Sequence, residues 1–135
     1  MNIELTEKEF RRLLDMAYIG NWVLNSTRGP DRLTDYDDVE SKLFSYCLKA
    51  GMSTLMELRD GEVLPSGAYI EGGIHEAIMD YEDTVFFDIL AEELARRDME
   101  DETISQDDVE ELVRRMNEYI MEFEEHGIDN ISVDK

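Results

Sequence analysis

The side chains with the greatest chemical capacity in this sequence are carboxylates on one predicted helix. Glu76, Asp80 and Asp83 are three or four residues apart, which places them on one side of an α-helix, and Asp88 and Glu92 extend the row. Paired carboxylates perform acid and base chemistry when burial separates their pKa values, whereas on an exposed helix they form a solvated face. We interpret these five as an acidic binding surface and assign no catalytic residue.

The two histidines do not complete a metal site in the sequence. A di-metal centre in a helical bundle uses Glu-x-x-His pairs, because that spacing aims both ligands inward from one helix face. His75 instead follows Glu71 by four residues across two glycines, and His126 follows Glu122 by four near a predicted helix end. We therefore predict no metal and no cofactor. The alternative is a metal-dependent or carboxylate-based enzyme that uses the helix around His75–Asp83.

Two other candidates for chemistry have structural interpretations. The acidic stretch that begins at Asp98 lacks the EF-hand pattern, having neither glycine at its sixth position nor glutamate at its twelfth. It predicts a solvated loop. Cys47 is the single cysteine, so it cannot form an internal disulfide, and with Phe44 and Leu48 beside it we expect a buried structural thiol.

Charge is distributed unevenly along the 135 residues. Asp and Glu number 34 against 13 Lys and Arg, a formal net charge of −21, and no basic residue occurs between Arg59 and Arg96. A field of this sign repels phosphate backbones and anionic membranes but attracts basic protein surfaces. We predict a basic protein partner, with no direct nucleic-acid or membrane binding. The competing interpretation is that the charge only keeps the protein soluble.

The elements that must position these residues are mainly helices. Thr6 and Glu9 form a T-x-x-E capping box, which predicts that the first helix begins at Glu7. The last helix follows a cap-like Ser105 and stops before Gly127. Apolar residues at helical spacing predict four helices, over about residues 7–25, 34–52, 74–97 and 106–126.

The segment near residues 60–72 is the exception to the helical pattern. Asp60-Gly61 and Pro65-Ser66-Gly67 are turn signals around short apolar pieces, which predict an irregular loop or a small hairpin. Leu55–Leu58 is expected to add a turn of helix before it. Together these patterns predict an all-α protein: one single-domain helical bundle of about four main helices over residues 1–135.

Aromatic residues give one indication of self-association. Phe86 and Phe87 are neighbours, and successive positions on a helix diverge by about 100°, so both cannot point at one core. One of them is expected to face a second layer or a partner, as does Trp22 on the second apolar flank of the first helix. A homo-oligomer is therefore one prediction, and burial of both rings in a small bundle is the other.

The run from Tyr81 to Leu90, continuing through Leu94 to Asp98, resembles a segment of small, acidic, uncharacterised bacterial helical proteins. The resemblance covers about an eighth of the chain and implies a bacterial source but no activity or site residues. No stretch approaches the roughly 20 apolar residues of a membrane span, and the N-terminus lacks the apolar block of a signal peptide. We expect a cytoplasmic protein.

Overall fold

The computed structural model describes residues 1–99 and 106–134. The described residues are mostly helical, with four long helices and a two-stranded antiparallel sheet, which confirms the mostly helical prediction. No helix in this part of the chain is both long and apolar enough to cross a membrane. The elements are α1 (Glu7–Asn25), α2 (Thr34–Ser45), β1 (Met56–Arg59), β2 (Glu62–Pro65), the short α3 (Gly67–Tyr69), α4 (His75–Met99) and α5 (Gln106–His126).

The chain divides into two compact units, Met1–Ile78 and Met79–Lys135, with the division inside α4. The arrangement of the helices as one bundle, and the single domain over residues 1–135, stay predictions.

The first unit begins with the predicted capping box. The Thr6 backbone N–H donates to the Glu9 carboxylate at 2.9 Å, and the Glu9 N–H donates to the Thr6 hydroxyl at 3.1 Å. Two N–H groups that would otherwise lack partners at the helix start are thus satisfied. The predicted start and end of α1 are both confirmed.

The core of this unit is built around four fully buried side chains. The Tyr69 ring packs edge-on against the Phe44 ring, with centroids 5.0 Å apart, and Leu14 and Cys47 complete the cluster. Burial of Cys47 confirms the expected structural thiol. Burial also raises the pKa of this thiol, which opposes formation of the reactive thiolate.

The second helix is shorter than predicted, ending at Ser45 instead of near Met52. After Ser45 the chain turns, Gly51 adopts the left-handed conformation with φ 73°, and the Met52 N–H donates to the Cys47 carbonyl at 2.8 Å. These turns keep Cys47 in the core while reversing the chain towards β1. Tertiary packing therefore ends a helix that the local apolar pattern would continue.

The expected hairpin is present but lies earlier than residues 60–72. β1 pairs antiparallel with β2, with Met56 opposite Pro65. Asp60 and Gly61 both have positive φ, 52° and 81°, as the favoured two-residue hairpin turn requires. The helical turn predicted at Leu55–Leu58 is wrong, because a 3₁₀ turn ends at Leu55 and Met56 begins the strand.

Ser66 converts the chain after the hairpin from strand to helix. Its hydroxyl accepts the Tyr69 N–H at 3.1 Å and donates to the Thr54 carbonyl at 2.6 Å. Residues 68–70, one of the apolar pieces around the predicted turns, are therefore helical and bring Tyr69 into the core. A π-helical turn over Ile70–Ile74 then leads into α4, with Gly73 at φ 114°.

The connection between α1 and α2 is held by one buried amide, Asn25, which is 1 % exposed. Its Nδ2 donates to Asn21 Oδ1 at 2.6 Å and to the Leu33 carbonyl at 3.1 Å. Its Oδ1 accepts the Leu33 N–H at 2.8 Å. A single side chain thus satisfies both backbone groups of the residue that precedes α2.

The second unit contains most of α4 and all of α5. The Phe87 and Phe123 rings pack with centroids 5.4 Å apart, and the Tyr119 hydroxyl donates to the Asp98 carboxylate. Ala91, Ala95 and Leu112 are buried in this unit. Gly127, with φ 56°, follows the end of α5 as predicted. The proposed cap at Ser105 and residues 100–102 of the acidic stretch lie outside the described residues.

Candidate functional site

Helix α4 carries all five carboxylates predicted to form an acidic surface. Glu92 is half-buried and accepts hydrogen bonds from Arg96 Nε and Nη2 at 3.0 and 2.8 Å. The others are exposed and make no ion pair with any described residue: Glu76, Asp80, Asp83 and Asp88.

Helix geometry sorts these carboxylates into separate groups. Asp80 and Asp83 are three residues apart and share one side of α4. Asp88 lies five residues beyond Asp83, about 140° around the helix, and Glu92 follows Asp88 by four residues on the same side. Glu76 lies in the first unit. The four carboxylates of the second unit thus form two acidic pairs on different sides of α4.

The negative potential of α4 is not neutralised along the helix itself. No basic residue occurs between Arg59 and Arg96, and the exposed Glu82 and Glu93 add to the predicted set. Neighbouring carboxylates on one helix face are closer together than the screening length of about 10 Å in 0.1 M salt. Their fields therefore add, and a cationic surface that approaches α4 is attracted by several charges at once.

His75 is engaged by tyrosine and tryptophan. Its Nε2 lies 2.7 Å from the Tyr18 hydroxyl, and the Tyr18 and Trp22 rings contact its ring edge-on, with centroids 5.6 and 6.1 Å away. Burial, followed by the charge of Glu40, raises the pKa of Tyr18. The hydroxyl thus stays protonated at neutral pH and can donate to His75. The raised pKa disfavours the phenolate, which would be the form able to act as a base.

The first unit contains a pocket of about 400 Å³ that was not predicted from the sequence. Glu40 lines it together with Tyr18, and the Arg59 side chain, another part of the wall, donates to Glu57 at 3.0 Å. Burial raises the pKa of the Glu40 carboxyl. Tyr18 of α1, Glu40 of α2 and the β1 side chains are far apart in the sequence, and only the tertiary fold brings them to one pocket. The rest of the lining is Leu64, Pro65, Gly67 and Ile70.

A polar network behind this pocket fixes the Glu40 side chain. The buried Asn21 amide donates to Glu40 Oε2 at 3.2 Å and to Asp37 Oδ1 at 2.9 Å. Arg32 donates to both oxygens of Asp37, from Nε at 2.6 Å and from Nη2 at 2.7 Å. These bonds from Arg32 hold the pKa of Asp37 below its usual range. The network orients a carboxyl, and it contains no nucleophile and base in hydrogen-bond contact.

The remaining candidates occupy separate places. His126 is the last residue of α5, as predicted, and its Nδ1 lies 3.7 Å from Glu122 Oε2. In residues 1–99 and 106–134, no group of three or more His, Cys, Asp and Glu side chains is arranged to hold a metal ion.

Comparison with family models, curated proteins and solved structures gives no match to this chain.

Proposed function

We propose that this chain is a non-catalytic, acidic protein-binding module that docks on a basic surface of another protein. The observation that supports it is the set of exposed α4 carboxylates with no ion pair in the described residues. Opposite charges at three- or four-residue spacing stabilise a helix by pairing with each other, as Glu92 and Arg96 do. The carboxylates without such pairs remain available to cations of a partner.

An inhibitor or immunity-like protein that masks a basic nucleic-acid-binding surface is one concrete form of this proposal. A net charge of −21 opposes binding to phosphate directly and favours binding to the Lys and Arg side chains that phosphate would contact. Such attraction acts mainly on the rate of encounter and weakens as salt rises.

The test is to isolate the chain with its bound partner at low salt from lysate of its own organism, using native mass spectrometry. The partner is then purified and its affinity measured at several salt concentrations. A basic partner whose affinity falls with salt supports the proposal. Absence of any basic partner at low salt contradicts it.

A charge-neutralised variant locates the surface. Asp80→Asn, Asp83→Asn and Asp88→Asn together should weaken binding about three- to tenfold at low salt, because each removes one unpaired charge. The matched control neutralises three exposed carboxylates elsewhere: Glu4→Gln, Glu62→Gln and Asp134→Asn. An equal loss from both sets would show that net charge alone governs binding.

A metal-dependent or carboxylate-based enzyme around His75–Asp83 is the alternative, and the same preparation tests it. A stoichiometric metal, or a melting temperature lowered by chelator, would support that alternative, because a bound metal stabilises the state that holds it.

A further inference from the structure

Helix α4 has a second apolar side within the second unit. Five residues follow one another at spacings of three and four, which places them along one line of the helix: Met79, Glu82, Phe86, Ile89 and Glu93. Three of them are apolar and two are acidic. The three apolar side chains are 53 %, 51 % and 55 % exposed. We refer to these five residues as the Met79–Glu93 stripe.

The stripe lies away from the side of α4 that contacts α5. Phe87, whose ring packs on Phe123, follows Phe86 by one residue, so its backbone position lies about 100° around the helix from that of Phe86, and the two rings contact edge-on with centroids 5.0 Å apart. Ala91 and Ala95 are buried on the Phe87 side. Alternating spacings of three and four residues are typical of the seam between two packed helices. The stripe therefore has the spacing of a helix-packing surface, although its apolar members are half exposed.

The charge pattern of the stripe argues against a second copy of this chain as its occupant. Parallel pairing would place Glu82 against Glu82 and Glu93 against Glu93. Antiparallel pairing centred on Phe86 would place Glu93 against Met79 and Glu82 against Ile89. One arrangement repels like charges and the other buries carboxylates against apolar groups, and the net charge of −21 on each copy adds to the cost.

We infer that the Met79–Glu93 stripe docks an amphipathic helix of a basic partner. That helix would present apolar side chains to Met79, Phe86 and Ile89, and Lys or Arg to Glu82 and Glu93. Apolar burial supplies affinity in such helix pairs, and the charged positions fix register and partner choice. This inference rests on the proposed function and adds to it a further surface of α4, beside the Asp80, Asp83 and Asp88 carboxylates, with the chemistry of the partner that would bind there.

Two synthetic helical peptides serve as probes for the full chain. In the first, Leu and Lys occupy one face in the order that complements the stripe, and the second has the same composition with the two residue types dispersed around the helix. Fluorescence anisotropy in about 150 mM salt measures affinity while the screening length is about 8 Å. We expect the first peptide to bind at least about tenfold more tightly, because only it aligns apolar and cationic groups together.

Matched variants test whether the stripe carries this binding. Phe86→Glu should weaken the first peptide at least about tenfold, and Ile89→Glu should do the same, since each places a charge in the apolar seam. Tyr81→Glu is the control: it adds the same charge at a site 65 % exposed, about 140° around α4 from Phe86. It should change affinity by less than about twofold. Far-UV circular dichroism checks that all three variants keep their helix content.

The outcomes separate this inference from the proposed function. Equal binding of both peptides, unaffected by Phe86→Glu, would overturn the stripe as the docking surface. The proposed function would survive as an acidic module that binds cations elsewhere. If neither peptide binds even at low salt, both the inference and the proposed function are overturned. Dimerisation of the free chain that Phe86→Glu abolishes would instead make a second copy the occupant and would also overturn the inference.

Discussion

Replacing Asn25 with alanine removes the side chain that joins the end of α1 to the start of α2. The native amide is 1 % exposed and makes three hydrogen bonds, two of them with the backbone of Leu33. Alanine leaves the Leu33 N–H without its partner, leaves the Leu33 carbonyl with only the Tyr36 N–H at 3.3 Å, and leaves Asn21 Oδ1 without its donor. The change therefore perturbs both the loop and the network that orients Glu40.

The expected loss of stability follows from these bonds. A typical intramolecular hydrogen bond contributes about 1 kcal/mol net, so three account for about 3 kcal/mol. Water that enters the vacated space could satisfy one of the Leu33 groups and reduce the loss to about 2 kcal/mol, whereas a buried group left unpaired would increase it to about 4 kcal/mol. We expect Asn25→Ala to lower the free energy of unfolding by about 2 to 4 kcal/mol.

Urea unfolding measures this change in a way that reports on the first unit. Trp22 is the single tryptophan and packs against His75, so its fluorescence follows that unit, and far-UV circular dichroism follows the whole chain. Asn130→Ala is the control, because the Asn130 amide donates to Glu122 at an exposed position. That substitution should cost less than about 0.5 kcal/mol by circular dichroism.

A loss below about 0.5 kcal/mol for Asn25→Ala, at unchanged dependence on urea, would refute the reasoning. It would mean that the buried amide does not hold the α1–α2 connection in solution.

Gly73→Ala should lower the free energy of unfolding by about 1 to 2 kcal/mol, because Gly73 has φ 114°, a conformation that alanine rarely adopts. Gly20→Ala inside α1 should instead raise it by about 0.5 to 1 kcal/mol. Urea unfolding of both variants tests this pair, and equal effects would contradict the prediction. Hydrogen bonds from Arg114 and Arg115 lower the pKa of Glu111 to about 2, so NMR titration should show this value rising in Arg114→Ala. Because the folded-state pKa is lowered, this carboxylate stabilises the fold above its unfolded pKa, and the contribution is lost as pH falls towards 2; a Glu111 pKa unchanged in Arg114→Ala would contradict the assignment. Raising salt from about 10 to about 150 mM shortens the screening length from about 30 to about 8 Å. It should raise the melting temperature, because the net charge of −21 repels itself within the folded chain. Equal melting temperatures at the two salt concentrations would show that nearby opposite charges already offset this repulsion.

Local sequence signals were sufficient where neighbouring residues satisfy one another. The Thr6–Glu9 capping box, the Asp60-Gly61 turn and the glycine after α5 all depend on contacts or backbone conformations within a few residues. The different environments of Phe86 and Phe87 follow equally from helix geometry: Phe87 packs on Phe123, and Phe86 is half exposed. Such features need no knowledge of distant residues.

Sequence patterns failed where distant residues compete for the same segment. Residues 46–51 carry an apolar helical pattern, yet burial of Cys47 and the chain reversal end α2 at Ser45. Residues 68–70 were predicted to lie in an irregular loop or small hairpin, yet the Ser66 hydroxyl caps a helical turn there and bonds to Thr54 as well. In both places long-range packing and hydrogen bonding outweigh local propensity.

By itself the sequence determined the helical character, the helix starts and stops that depend on local capping, and the concentration of negative charge on α4. Only the tertiary structure decided what surrounds each group. It placed Tyr18 beside His75, 57 positions away, and brought Glu40 to a pocket with Tyr18. It also left one apolar side of α4 half exposed. The physical reason is that charge and helix propensity belong to the local chain, whereas burial, hydrogen-bond partners and pKa depend on residues far apart in sequence.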